Sequence, residues 1–413
     1  MKPSYDPNAL ERRVRQKIQG VMQTFWVVCH PGFERTIATE IDAILAGRFE
    51  KGTPVPSGSE PNIQVHFGGV EFQGRIEDCW RINALARTPS RISMRIDEFR
   101  ATQFPELVRK VSEIPWELYL SPHAKGQIQV TSRNSRLIHT DAVEERVGAG
   151  IQQRLAPWRD ALPEEPGKHE LPQTILVRLE NDRCTLSIDA SGELLFKRGF
   201  DKFTEDAPLR DTLAACILQK AGWEKMSHLI DPMAGSGTFT LEALLARAPH
   251  HFPGLVRRFC FEEWPNFRVA AYNHLLKSLG IPVDKAPLLS ITTCDIDSKA
   301  VQTIRANLDV LKLSSSACVQ LRQQDFFTFT PEVKDPAHTL VVLNPPYGVR
   351  LPQGTYDFYK HIGEHLRKHF RGCRFAIVCP SPEDAEALEL RWEHRQISKN
   401  GGLEIGVVIG WVS

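Results

Sequence analysis

The chain has 413 residues, too many for one hydrophobic core, so two or three domains are expected. It carries 51 Lys and Arg against 50 Asp and Glu, and its first 200 residues hold 27 basic and 26 acidic side chains. Bulk attraction to a polyanion is therefore excluded, and any nucleic-acid site must be a local basic patch. Residues 1–20 hold too few apolar side chains for a core and read as a mobile or loosely helical arm. Lys2, Glu11, Arg12, Arg13, Arg15 and Lys17 leave no apolar signal core there. No later stretch is long and apolar enough to span a membrane. Phe25-Trp26-Val27-Val28-Cys29 reads as a strand turned by Pro31-Gly32, and Phe33 to Leu45 as a helix. Lys51 to Pro61 is a Gly/Pro/Ser-rich loop, and Val65 to Phe72 a strand kinked at Gly68-Gly69. Arg75 to Arg87 fits a helix, Ser90 to Phe99 an alternating strand and Phe104 to Leu118 a further helix. Gln127 to Val130 is a strand that ends in Thr131-Ser132-Arg133-Asn134-Ser135-Arg136-Leu137-Ile138-His139-Thr140. A helix follows to about Leu155, with Asp141 or Thr140 as its cap. After a polar loop at Glu164 to Pro172, Thr174–Leu179 and Arg183–Asp189 form a hairpin turned at Asn181-Asp182.

From here strands alternate with helices, the pattern of a parallel sheet. The central stretch is Leu229-Ile230-Asp231-Pro232-Met233-Ala234-Gly235-Ser236-Gly237-Thr238, a buried strand, a glycine turn and the start of an amphipathic helix. Gly235 and Gly237 let the backbone approach a ligand, which in doubly wound folds sits beyond the carboxyl ends of the strands. No Lys follows the second glycine and Asp231 is negative, so a cationic or sugar-bearing ligand suits the turn better than a polyphosphate. The second strand runs from Leu289 and ends at Asp295, placed to accept both hydroxyls of a ribose, while Asp297 suits the cap of the helix Lys299 to Leu311. The third strand starts at Val319 and ends at Asp325 and Phe326, an acceptor for an adenine amine beside an apolar wall. The fourth, Leu340 to Leu343, stops at Asn344-Pro345-Pro346-Tyr347. Two prolines cannot extend a ladder, so the segment leaves the sheet with free carbonyls. The Asn344 amide oxygen and a backbone carbonyl can accept both hydrogens of a planar amine, and Tyr347 can stack on the base that carries it.

Asp231-Pro-Met-Ala-Gly-Ser-Gly-Thr and Asn344-Pro-Pro-Tyr-Gly resemble the cofactor and catalytic motifs of class I S-adenosylmethionine-dependent methyltransferases, most closely the THUMP-containing RNA guanine-N2 family. The resemblance covers nearly all of the chain after residue 20 and implies a Rossmann-like α/β domain preceded by an α+β, ferredoxin-like and THUMP region. Residues 1–20 would be an arm, 21–190 the RNA-binding region and 191–413 the catalytic domain. It implies S-adenosylmethionine contacts at Asp231, Met233, Gly235, Gly237, Thr238, Asp295, Asp325 and Phe326. Ala207 and Leu209 join them, from a linker, Arg198-Gly-Phe to Ala207-Pro-Leu-Arg, that folds over the cofactor. Asn344, Pro345, Pro346 and Tyr347 would be catalytic, with Gly348-Val349-Arg350 near a flanking phosphate. Ser132, Arg133, Ser135, Arg136 and His139 would contact RNA, most closely large-subunit ribosomal RNA. A chain with one such domain would make one modification, in the cytoplasm.

Two constellations compete for chemistry. His361, His365 and His369 share a helix face, but no carboxylate is placed as in a metalloprotease motif, so a solvated face and no metal are expected. The nine cysteines form no Cys-x-x-Cys pair; Cys373 and Cys379 read as core thiols. The tetrapeptide at Asn344 also occurs in adenine-N6 and glutamine-N5 methyltransferases, and separates neither guanine from adenine nor ribosomal from transfer RNA. A non-catalytic RNA-binding protein is the third reading, opposed by the intact Asp231, Gly235, Gly237, Asp325 and Asn344.

Overall fold

The computed structural model describes residues 6–47, 62–162, 170–204, 208–246, 257–279, 290–313, 318–346 and 355–413. They build two seven-stranded sheets. The first contains β1 (Gln23–Val28), β2 (Ile63–His66), β3 (Gly69–Gly74), β4 (Arg91–Arg100), β5 (Gly126–Arg133), β6 (Gln173–Glu180) and β7 (Arg183–Asp189). Their order is β2-β3-β1-β4-β7-β6-β5. Phe25, Phe72, Met94 and Ile188 lie in register across it and are all buried, so one face is core and the other polar. Only β5 and β6 pair in parallel in this sheet, because the long helix Thr140–Ala161 crosses between them.

The second sheet contains β8 (His228–Asp231), β9 (Ser290–Asp295), β10 (Val319–Gln323), β11 (Thr339–Leu343), β12 (Arg374–Cys379), β13 (Trp392–Asn400) and β14 (Leu403–Trp411). Its order is β10-β9-β8-β11-β12-β14-β13, parallel through β12 with an antiparallel hairpin at the edge. Chain order reverses between β8 and β11, and that switch point opens the crevice at the carboxyl ends of the strands. β11 is buried along its whole length, as a central parallel strand must be.

Several local expectations change. Val65–Phe72 is a hairpin of β2 and β3 rather than one kinked strand, since Gly68 takes φ +76° and reverses the chain. The helix from Phe104 stops at Glu113, because Pro115 disfavours helical geometry at Ile114. The helix expected to end near Leu155 continues through Pro157 to Ala161, and His139, not Asp141 or Thr140, holds its N-cap position, without a side-chain cap bond. The N-terminal arm is a docked helix, Pro7–Val14, continued by a wider turn at Arg15–Gln19. Val14 and Ile18 pack on Leu118, and Arg13 meets the buried Glu117 at 3.0 Å. His365 is not on a solvated face: it is buried, bonded to the Phe329 carbonyl at 3.0 Å and packed edge-on against Phe326. Cys373 and Cys379 are core residues as expected. The Lys51–Pro61 loop lies outside the described residues.

An element the periodicity did not reveal joins the two sheets. Between the helix Thr238–Leu245 and β9, a segment brings Phe259, Phe261, Phe267 and Tyr272 together, and all but Phe259 pack against Trp80 on the helix Ile76–Leu85. Beside this cluster, Glu242 is buried and receives Arg87 Nε at 3.1 Å and Arg198 Nε at 3.0 Å. Burial pushes its carboxyl up, but the two guanidiniums outweigh burial and hold it below the usual range. Glu242→Gln leaves both buried cations without their counter-charge. It should cost about 3–5 kcal/mol of unfolding free energy, read from urea denaturation.

Candidate active site

Where β8 ends, Asp231 leads into the glycine turn. Gly235 and Gly237 take φ of +53° and +77°, a region L side chains avoid. Their reasons differ. A Cβ on Gly235 would meet nothing within 4 Å, so this turn is left open for something to approach. A Cβ on Gly237 would lie 2.9 Å from Ile304 Cγ1, so that glycine serves close packing against the helix Ser298–Val310. Gly235 N–H donates to Asp295 Oδ2 at 2.8 Å, tying the turn to the end of β9. The other oxygen, Asp295 Oδ1, accepts Asp297 N–H at 3.0 Å. Asp297 caps its helix by accepting Lys299 N–H at 2.9 Å. At the end of β10, Asp325 caps a short turn through Phe327 N–H at 3.0 Å.

These ends surround a cavity of about 580 Å³ lined by Met233, Gly235, Asp295, Asp325, Asn344 and Phe358, among others. Of the residues picked from sequence, Met233, Gly235, Asp295, Asp325, Phe326, Asn344 and Pro346 line it. Asp231, Gly237, Thr238, Leu209 and Pro345 are not among its lining residues. Leu209 is buried, and Thr238 Oγ1 accepts Lys202 Nζ at 3.0 Å. Ala207, Tyr347 and Gly348-Val349-Arg350 lie outside the described residues. Ile296, Ala300, Phe327 and Phe358 line the cavity without having been singled out. Ile296 and Ala300 flank the Asp297 cap, a position the sequence did disclose; Phe358 comes from a separate helix and left no signal.

Two acceptors at the site lack donors. Asn344 Oδ1 is buried with no hydrogen-bond partner. Asp231 accepts Thr240 Oγ1 at 2.8 Å through Oδ2, while its buried Oδ1 has no partner. Burial lifts the Asp231 carboxyl to about 7 against the Thr240 bonds, with the Asp295 charge adding to the rise. Unmatched buried acceptors cost free energy unless a ligand supplies donors. Open space over Gly235, acidic side chains and an apolar wall from Phe326, Phe327 and Phe358 fit a ligand with a sugar, an aromatic base and positive charge.

The basic loop of the first sheet is built differently from its composition. Ser132 Oγ donates to Leu137 O at 2.8 Å and Ser135 Oγ to Arg133 O at 3.0 Å, so both hydroxyl protons are spent on the loop. Asp182, in its left-handed turn, accepts Arg136 N–H at 2.8 Å. Arg133, Arg136 and His139 are the exposed members of the set. Among the described residues, no cluster of three or more His, Cys, Asp or Glu could hold a metal ion, and no helix is long and apolar enough to cross a membrane.

A doubly wound sheet with a glycine turn on its first strand and Asn-Pro-Pro on its fourth defines a class I methyltransferase domain, whose cofactor is S-adenosylmethionine. Residues 198–404 match the family described as "RMKL-like, methyltransferase domain", and residues 101–189 match the THUMP domain. The chain belongs to this THUMP-containing RMKL-like methyltransferase family. It is 30% identical over 377 residues to a Synechocystis protein named "Putative RNA methyltransferase", covering 89% of this chain and 93% of that one. It is 32% identical over 349 residues to the ribosomal RNA large subunit methyltransferase K/L of Syntrophotalea carbinolica, covering 81% of this chain but 48% of that protein. The chain thus spans about half the length of its K/L relatives. Its fold resembles the solved chain titled "SMU.472, a putative methyltransferase complexed with SAH", with TM-score 0.78, 24% identity and coverage of 95% and 98%.

The raised Asp231 carboxyl has a thermodynamic consequence. In the cofactor-free protein the folded state holds this proton up to about pH 7, whereas the unfolded chain releases it near 3.8. This contribution to stability is therefore complete below the unfolded value and is lost as pH rises through 7. Asp231→Asn should flatten that part of the stability profile, compared by urea denaturation at pH 5 and pH 8.

Proposed function

We propose that this protein methylates the exocyclic N2 amine of a guanine in RNA, with large-subunit ribosomal RNA as substrate. The observation that carries the reading is the buried, partnerless Asn344 Oδ1 at the cavity wall. It is an acceptor in search of an N–H donor, and a planar amine presents one to it and a second to the Pro345 carbonyl. Accepting both hydrogens favours the pyramidal amine, whose lone pair is otherwise delocalised into the ring. Pro345 and Pro346 fix this geometry, because their rings restrict the backbone and add no competing donors.

S-adenosylmethionine, when bound, supplies a methyl group already activated on a sulfonium. Asp295 would hold the ribose hydroxyls and Asp325 the adenine amine; each carboxylate already anchors a backbone N–H and so is fixed in direction. Asp231, buried and outside the lining, would bear on the positive charge only from beneath the glycine turn. With acceptor and donor held in line, positioning supplies most of the rate, and the proton leaves to water after transfer. Residues 21–190 would dock the RNA through Arg133, Arg136 and His139, and residues 191–413 would carry out the transfer. The THUMP match and the names of the relatives support RNA as the substrate class.

Asn344→Ala should lower kcat on the order of a hundredfold, the usual scale for one lost polar contact at a reacting group, and leave cofactor affinity nearly unchanged. Single-turnover kinetics and calorimetry separate the two effects. Nucleoside mass spectrometry of ribosomal and transfer RNA, from cells with and without the gene, tests the substrate. Loss of N2-methylguanosine from large-subunit RNA is expected. Loss of N6-methyladenosine instead would reassign the base, and loss from transfer RNA alone would reassign the substrate.

A further inference from the structure

The linker that leaves the first sheet is clamped to the glycine turn at two consecutive residues. Lys202 Nζ bonds Asp211 Oδ1 at 2.6 Å and Thr238 Oγ1 at 3.0 Å. Asn307, wholly buried, accepts Phe203 N–H at 2.8 Å and returns its own N–H to Phe203 O at 2.9 Å. The same Nδ2 also lies 3.2 Å from Ser236 O, between the two turn glycines. The Phe203 backbone is therefore fixed in both directions, one side chain away from the cofactor turn. The residue itself is only half covered: Phe203 is 53% exposed. Two other large apolar residues stand exposed where the chain leaves this end of the sheet, Ile296 in the cavity wall and Tyr356 at the start of the helix Thr355–His369.

An ordered backbone carrying an exposed aromatic ring is what base stacking requires, since little conformational freedom is left to lose. The adjacent cation, Lys202, is already paired with Asp211, so its ammonium is committed within the fold rather than held out for a phosphate. We infer that Phe203 is a stacking platform for an unpaired nucleotide of the substrate RNA, beside the glycine turn to which its backbone is tied. This rests on the RNA reading above. It adds a residue that recognises the bases around the target instead of the target itself.

The experiment compares the wild type with Phe203→Ala, Phe203→Leu and Phe203→Trp. Deproteinised large-subunit ribosomal RNA from cells lacking the gene is the probe, and binding is measured at fixed salt with S-adenosylhomocysteine present. Phe203→Ala should weaken RNA binding about tenfold, the scale of one lost stacking contact. Phe203→Trp should restore it, Phe203→Leu should not, and cofactor affinity should hold in all three by calorimetry. Unchanged RNA binding in Phe203→Ala, while the wild type still methylates RNA, overturns the platform and leaves the RNA reading standing. A fall in cofactor affinity that accounts for the RNA effect overturns it too, making Phe203 a cover for the cofactor. A wild type that neither binds nor methylates RNA removes both readings.

Discussion

Glu242 lies on the helix that begins at the glycine turn, and both guanidiniums that neutralise it come from outside the second sheet. Arg87 follows a helix of the first sheet's layer, and Arg198 stands in the linker and also donates to the Arg87 carbonyl at 2.6 Å. Three charges out of water are tolerable only while all three stay together. The junction therefore has one good geometry, and that geometry fixes the cofactor helix, the linker and the first sheet relative to one another. The aromatic cluster around Trp80 supplies non-directional burial next to it, and the ion cluster supplies the direction.

The carboxylates of the cavity share a second economy. Asp295 and Asp325 are each anchored by a backbone N–H before any ligand arrives, and Asp297 is committed to a helix cap. Groups held this way need no reorganisation when a ligand binds, so their contribution is not offset by side-chain ordering. Asp231 stands apart: it is buried, half-satisfied and lifted towards neutrality by that burial.

The parallel half of the fold was readable because apolar strands, glycine turns and strand-end acids are local signals. Asp231, Asp295, Asp325 and Asn344 stand where their strand ends put them. What the sequence hid was set by contacts between distant segments. Ser132 and Ser135 look like phosphate ligands in composition, yet their hydroxyls close a loop. His365 has the spacing of an exposed stripe, yet the ring lies against Phe326 because that helix covers β11 and β12 from the inner side. The segment around Phe261 has no clean period, since its residues answer to Trp80 on another element. Phe358 joined the cavity for the same reason.

The distribution of sulfur has a practical side. Eight of the nine cysteines are buried, with thiols such as Cys184, Cys260 and Cys373 pushed up to about 12 by burial. Cys318 alone is partly accessible, one residue before β10, the strand that ends near Asp325. The native chain thus comes with a natural chemical handle: a thiol-directed fluorophore or spin label would attach at a single known place without mutagenesis, at the amino-terminal edge of the sheet, opposite the crevice.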